Sequence, residues 1–97
     1  MAEYRLTLRA RSDILNIWQY IADDSVPHAD RFIDQLMERF SMLRKNPYAG
    51  REREDIRPGI RGFRFREYEI LYRIRDSGVH ITAVVHGRRN LTKLPWQ

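Results

Sequence analysis

The period of the hydrophobic pattern changes partway along this chain, and that change limits the folds open to it. From residue 10 to residue 45 apolar side chains recur at helical spacing, whereas from residue 61 to residue 86 they recur at every second position. Ala10, Ile14, Ile17, Trp18 and Ile21 form one stripe and predict an amphipathic helix over residues 10–23. Asp23-Asp24-Ser25 breaks the pattern, and Pro27 suits the first turn of a second helix. There Ala29, Phe32, Ile33, Leu36, Phe40 and Leu43 share a face. Asp30 and Asp34 lie early, and Arg44 and Lys45 lie in the last turn, as the helix dipole favours. Asn46-Pro47 ends the helix. So short a connection predicts an antiparallel helical hairpin.

Upstream, "YRLTL" alternates Tyr4, Leu6 and Leu8 with polar residues and predicts a short strand. Downstream, "NPYAGREREDIRPG" reads as a loop. Phe63 and Phe65 then alternate with Arg64 and Arg66, after which Tyr68, Ile70, Tyr72 and Ile74 become the apolar set. This parity flip near Arg66-Glu67 predicts a turn or bulge between two strands. Asp76-Ser77-Gly78 suits a hairpin loop, and "VHITAVVH" is β-branched almost throughout, as in a central strand. The order β-α-α-β-β-β predicts an α+β fold in one domain over residues 1–97, with a helical hairpin on a small, mostly antiparallel sheet. Ile17, Ile21, Phe32, Leu36 and Phe40 are the expected core between the layers, with Trp18 joining them.

The chain has no cysteine, which excludes disulfides, thiolate metal sites and thiol nucleophiles and suits a reducing compartment. The opening "MAEYRLTLRA" lacks the apolar run of a signal peptide, and no segment reaches the length of a membrane helix, so the expected location is the cytoplasm, without a membrane partner. Residues 1–50 carry no net charge, and the whole excess of +5 falls in residues 51–97. Of the 18 basic residues 16 are arginine, whose rigid donor fork matches carboxylates and phosphates. The second half therefore points to an acidic partner, either nucleic acid or an acidic protein segment. Glycine-rich nucleotide loops, HExxH and cysteine-based zinc patterns are absent from the sequence, which indicates neither a metal nor a cofactor.

The ordered set "YRLTLRARSDILNIWQYIA", "ADRFIDQLMERFSMLRKNPYAGRERED", "IRPGIRGFRFREYEILYRI" and "ITAVVHGRR" resembles the RelE/ParE superfamily of toxins from type II toxin–antitoxin modules, most nearly the ParE branch. The resemblance implies a compact α+β toxin that inhibits growth and is neutralised by a cognate antitoxin in a hetero-oligomer, a heterotetramer being one such assembly. It implies contact with DNA only through that antitoxin. ParE toxins are directed at DNA gyrase, and RelE toxins cut messenger RNA in the ribosome. No lysine stands between Lys45 and Lys93, so the lysine set of RelE-like sites is missing.

An RNA-cutting alternative would use Arg64 and Arg73 to hold a phosphate and His86 as an acid–base group. Gly87-Arg88-Arg89 follows His86 without the terminal tyrosine of histidine-using relatives. The first reading is a binding toxin with no catalytic residue assigned, the second is that nuclease, and the third is an inert partner-binding module. In the binding reading Arg64, Arg73, His86, Arg88, Arg89 and Trp96 are the candidates for meeting target or antitoxin. Trp96, one residue from the end of the sequence, calls for a cover, either the sheet or a partner. Tyr68 and Tyr72 share a strand face and are expected to pack rather than to stack on bases. His28 is placed at a helix start and His80 on a strand edge, neither with an assigned role.

Overall fold

The structure, a computed structural model, describes residues 4–76 and 78–87. Strand β1 (Tyr4–Leu6) leads into helices α1 (Leu8–Ala22) and α2 (Val26–Lys45), and a single 3-10 turn (Pro47–Ala49) follows. Strands β2 (Arg51–Glu52), β3 (Arg61–Phe65), β4 (Tyr68–Arg75) and β5 (Gly78–His86) complete one sheet in the order β1-β5-β4-β3-β2. Only the β1–β5 pair is parallel. This is the expected α+β fold, with one extra strand of two residues at the edge. Among the described residues no helix is long and apolar enough to cross a membrane.

The first strand ends earlier than its alternation suggests. The Thr7 hydroxyl accepts from the Ala10 amide and caps α1, so Leu8 begins the helix and lies 79% exposed. The same hydroxyl donates to the Thr82 carbonyl at 2.8 Å. Ser25 caps α2 in the same manner, accepting from the His28 amide, with Pro27 in the first turn. His28 is therefore at the helix start, as its position predicts.

Leu36, Phe40 and Leu43 of α2, Ala10 and Ile17 of α1, and Phe65, Ile70, Tyr72, Val79, Ile81 and Val84 of the sheet form the main core. Phe32 and Ile21 pack against it from partly exposed positions. Trp18 differs from its expected core placement. It stays partly exposed and its indole N–H donates to Asp30 across the hairpin at 2.8 Å, because a buried indole needs a partner that the apolar core does not offer.

Strand β5 carries a bulge. Leu71 pairs with Ala83 and Tyr72 with Ile81, so Thr82 is the extra residue. Val79 and Ile81 face the helices before it, and Ala83 and Val85 face away after it. The backbone groups it displaces are taken up locally. Thr7 receives into its turn the Thr82 carbonyl, and Asp13, paired with Arg9 at 3.0 Å, accepts from the Val84 amide at 3.0 Å.

On the reverse face of the sheet, Ile56 and Ile60 from the loop before β3 cover Leu71, Ala83 and Val85. Composition makes residues 46–59 a loop, yet the segment, together with Ile60, supplies a second small core. It is closed by hydrogen bonds between Arg53 and Ile60 and between Ile56 and Arg53.

Candidate functional site

An apolar groove and a buried cluster hold side chains open to function. The groove lies on the helical hairpin, with Leu6 of β1 in its lining. Arg11, Ile14, Leu15 and Trp18 line it from α1, and Ile33 and Met37 from α2. Its volume is about 310 Å3. Leu15 is more than half exposed there, and so is Leu8 in the first turn of α1. The stripe of each helix is wider than the core can cover, and the surplus forms the groove.

The buried cluster lies on the reverse face. Glu69 sits within the apolar run of β4 and is only 6% exposed. Its carboxylate accepts from Arg53 at 3.1 Å, and Arg53 also holds the exposed Asp55 at 2.9 Å. The hydrogen bond to Asp55 is the main influence raising the Arg53 pKa, and it lowers that of Asp55 in turn. Gly62 makes room for the carboxylate, since a Cβ there would collide with Glu69. Sequence reasoning passed over Glu69. The available signal was an acidic residue inside a strand, opposite an alternating arginine run.

Arg64 and Arg73 also belong to the reverse face. Arg64 stands opposite Glu69 and Arg73 opposite His80 in the sheet register. The Arg64 guanidinium donates to the Arg66 carbonyl at 2.7 Å, and that of Arg73 donates to the Pro58 carbonyl at 2.8 Å, where Gly59 in a left-handed conformation lets it approach. His86 lies on the other face. It pairs with Tyr68, and the two rings meet edge to face at 5.5 Å, while Tyr68 meets Phe32 of α2 at 5.7 Å. The structure thus places Arg64 and Arg73 on one face and His86 on the opposite one. Arg88, Arg89 and Trp96 lie outside the described residues.

Tyr72 is fully buried and Tyr68 half-buried in packing contacts, as expected of the pair. Burial, then Glu67 and Tyr20, pushes the Tyr68 hydroxyl above its ordinary pKa.

His80 lies in the middle of the sheet beside Arg73 rather than at an edge, because β1 pairs with β5 on its far side. Burial, followed by the charges of Arg75 and Arg5, holds its imidazole below the ordinary range. A base with a depressed folded pKa binds its proton less readily than the unfolded chain does. Its contribution to stability is complete above the unfolded value of about 6.5 and is lost as pH falls below it. Urea unfolding is therefore expected to show lower stability at mildly acidic pH than above neutrality, with His80→Gln flattening the dependence. A wild-type profile unchanged by that substitution counts against the assignment.

A helical hairpin on a five-stranded sheet, with an open apolar groove on the hairpin and arginines spread over the sheet, defines a small α+β protein suited to engaging a partner. Residues 4–91 match the family described as ParE toxin of type II toxin-antitoxin system, parDE. The chain belongs to that family. It is 33% identical over 69 residues to Toxin ParE3 of Caulobacter vibrioides, covering 71% of this chain and 69% of that protein. It is 30% identical to Toxin ParE1 of the same organism over 93% of this chain and 94% of that one. Toxin ParE1 of Mycobacterium tuberculosis is 26% identical over 95% and 96%. A structure described as a chromosomal ParDE TA system from P. aeruginosa shares the fold, with a TM-score of 0.74 and 21% identity over 89% of this chain and 96% of that one.

Proposed function

We propose that this toxin arrests growth by binding DNA gyrase and that a cognate antitoxin neutralises it by occupying the groove of the helical hairpin. The observation that carries the binding reading is the division of the candidate catalytic set between the two faces of the sheet. Cleavage of RNA needs a general base, a general acid and cations gathered around one phosphate. Arg73 is separated from His86 by the sheet and is engaged by the Pro58 carbonyl, while the Arg64 guanidinium, which reaches the end of the sheet beside Gly87, is turned onto the Arg66 carbonyl. Membership in the ParE family supports gyrase over the ribosome as target. For the antitoxin, a groove lined by Leu6, Ile14, Leu15, Trp18, Ile33 and Met37 suits the apolar face of an amphipathic helix. The resulting assembly is a hetero-oligomer in the cytoplasm, and only the antitoxin touches DNA.

The test is to add the purified chain to gyrase in a supercoiling assay and, in parallel, to induce it in cells. The expected result is loss of supercoiling, an SOS response and filamentation. In-frame cleavage of translated messages with gyrase unaffected would overturn the proposal. His86→Ala is expected to leave growth inhibition largely intact in a folded variant, whereas loss of an acid–base group from a nuclease costs about 10²–10⁴ in rate.

A further inference from the structure

On the other flank of α2 lies a pocket of about 320 Å3, lined by Ile21 of α1, by His28, Arg31, Phe32 and Gln35 of α2, and by Arg66 of the β3–β4 turn. Arg66 is the only non-glycine among the described residues with a positive φ, at 55°, a conformation that disfavours a side chain. Its guanidinium is held over the rings of Phe65 at 5.5 Å and Phe32 at 5.8 Å, and it donates to the Gln35 side-chain oxygen. All of these partners are neutral. Arg9, Arg53 and Arg61 each have a carboxylate within ion-pair distance, but among the described residues neither Arg31 nor Arg66 does. A fixed guanidinium with no carboxylate partner among the described residues, beside a second one and next to apolar Ile21 and Phe32, is a preorganised anion receptor with an apolar wall.

We infer that this pocket receives a carboxylate side chain of an acidic partner segment, with an adjacent apolar side chain lying on Ile21 and Phe32. For the identity of that segment the inference rests on the antitoxin reading. Ile33 and Met37 point to the apolar groove from one flank of α2, and His28, Arg31 and Gln35 to this pocket from the other. An α-helix is about 10–12 Å across and an extended chain advances about 3.3 Å per residue, so about three or four extended residues span the distance between the two sites. A partner helix seated in the groove therefore reaches the pocket with a short extended stretch. The apolar groove supplies contact area, and the two arginines select an acidic sequence.

The test uses the full chain, labelled with nitrogen-15, and a synthetic blocked peptide of alternating leucine and glutamate at low salt. Expected are saturable shifts of the Arg66 Nε–H and the Gln35 side-chain amide. Binding is expected to weaken about tenfold or more when glutamine replaces glutamate in the peptide, or when Arg31→Gln and Arg66→Gly are combined in the protein. Glycine accepts the positive φ at residue 66, so the double variant keeps its fold, and resonances remote from the pocket verify it. Equal binding of both peptides, no saturable shift, or no change in the double variant overturns the inference. Tighter binding of inorganic phosphate or AMP at the same resonances also overturns it and makes the pocket a phosphoryl site. Failure of the peptide to bind leaves the gyrase assay standing, and a chain that spares gyrase can still bind the peptide, so the two results are separable.

Discussion

Leu36→Ala is expected to lower the free energy of unfolding by about 2–5 kcal/mol, as deletion of a buried leucine side chain does when its surroundings relax only partly. Leu36 has no exposed surface and stands mid-way along α2, within the cluster formed with Phe40, Ile17, Tyr72 and Ile81. Elements press on the site from both layers, so neither can collapse into the void without losing contacts elsewhere. Small domains have total stabilities of about 5–15 kcal/mol, so the change removes a large part of the reserve. Urea titration of the wild type and the variant measures it. A loss under about 1 kcal/mol would mean that the α2 stripe does not face the sheet.

Tyr72→Phe is the second substitution with a large expected cost. The Tyr72 ring has no exposed surface, and its hydroxyl donates to the Pro47 carbonyl at 2.6 Å and accepts from the Gly50 amide at 2.9 Å. Arg61 adds a second tie, donating to the Gly50 carbonyl at 2.6 Å through Nη2. These bonds fasten the chain leaving α2 to the sheet. Gly50 approaches so closely that a Cβ there would lie 2.5 Å from the Tyr72 oxygen and 2.8 Å from the Gly62 carbonyl. Water has little room to replace the hydroxyl, so Tyr72→Phe strands both backbone groups, at about 1–3 kcal/mol for each. Thermal unfolding gives the total, and hydrogen exchange at the Gly50 amide locates it. An amide as well protected in the variant as in the wild type would show that the hydroxyl does not anchor this turn.

The site proposals depend on features that differ in how far the sequence revealed them. The apolar groove follows from helix stripes wider than one core contact, and Ile33 was already legible in the α2 stripe. Leu15 and Met37 were not, because single apolar residues off the main stripe carry no period. The anion pocket was not legible either. Arg31 and Arg66 are 35 positions apart, and only the docking of the β3–β4 turn beside α2 brings them together. The parity flip at Arg66-Glu67 was visible, but the sequence did not disclose that Arg66 itself takes the left-handed turn.

His86 shows the limit most clearly. Counted by strict alternation from Val79, it would fall on the reverse face with Arg64 and Arg73. The bulge at Thr82 returns it to the helix side. That bulge is held by Thr7 and Asp13, more than 70 positions away, so nothing local to β5 announces it.

The sequence by itself determined the two helices, the strands β3 to β5, the layer that each apolar stripe would bury and the excess of arginine in the second half. These are properties of period and composition, fixed by side-chain spacing within each element. Tertiary structure alone decided the bulge, the second core under residues 53–60, the buried Glu69–Arg53 pair and the face on which each candidate functional residue stands. Each of these arises where backbone or side-chain groups distant in sequence must satisfy one another once the layers close, and no local spacing encodes that requirement.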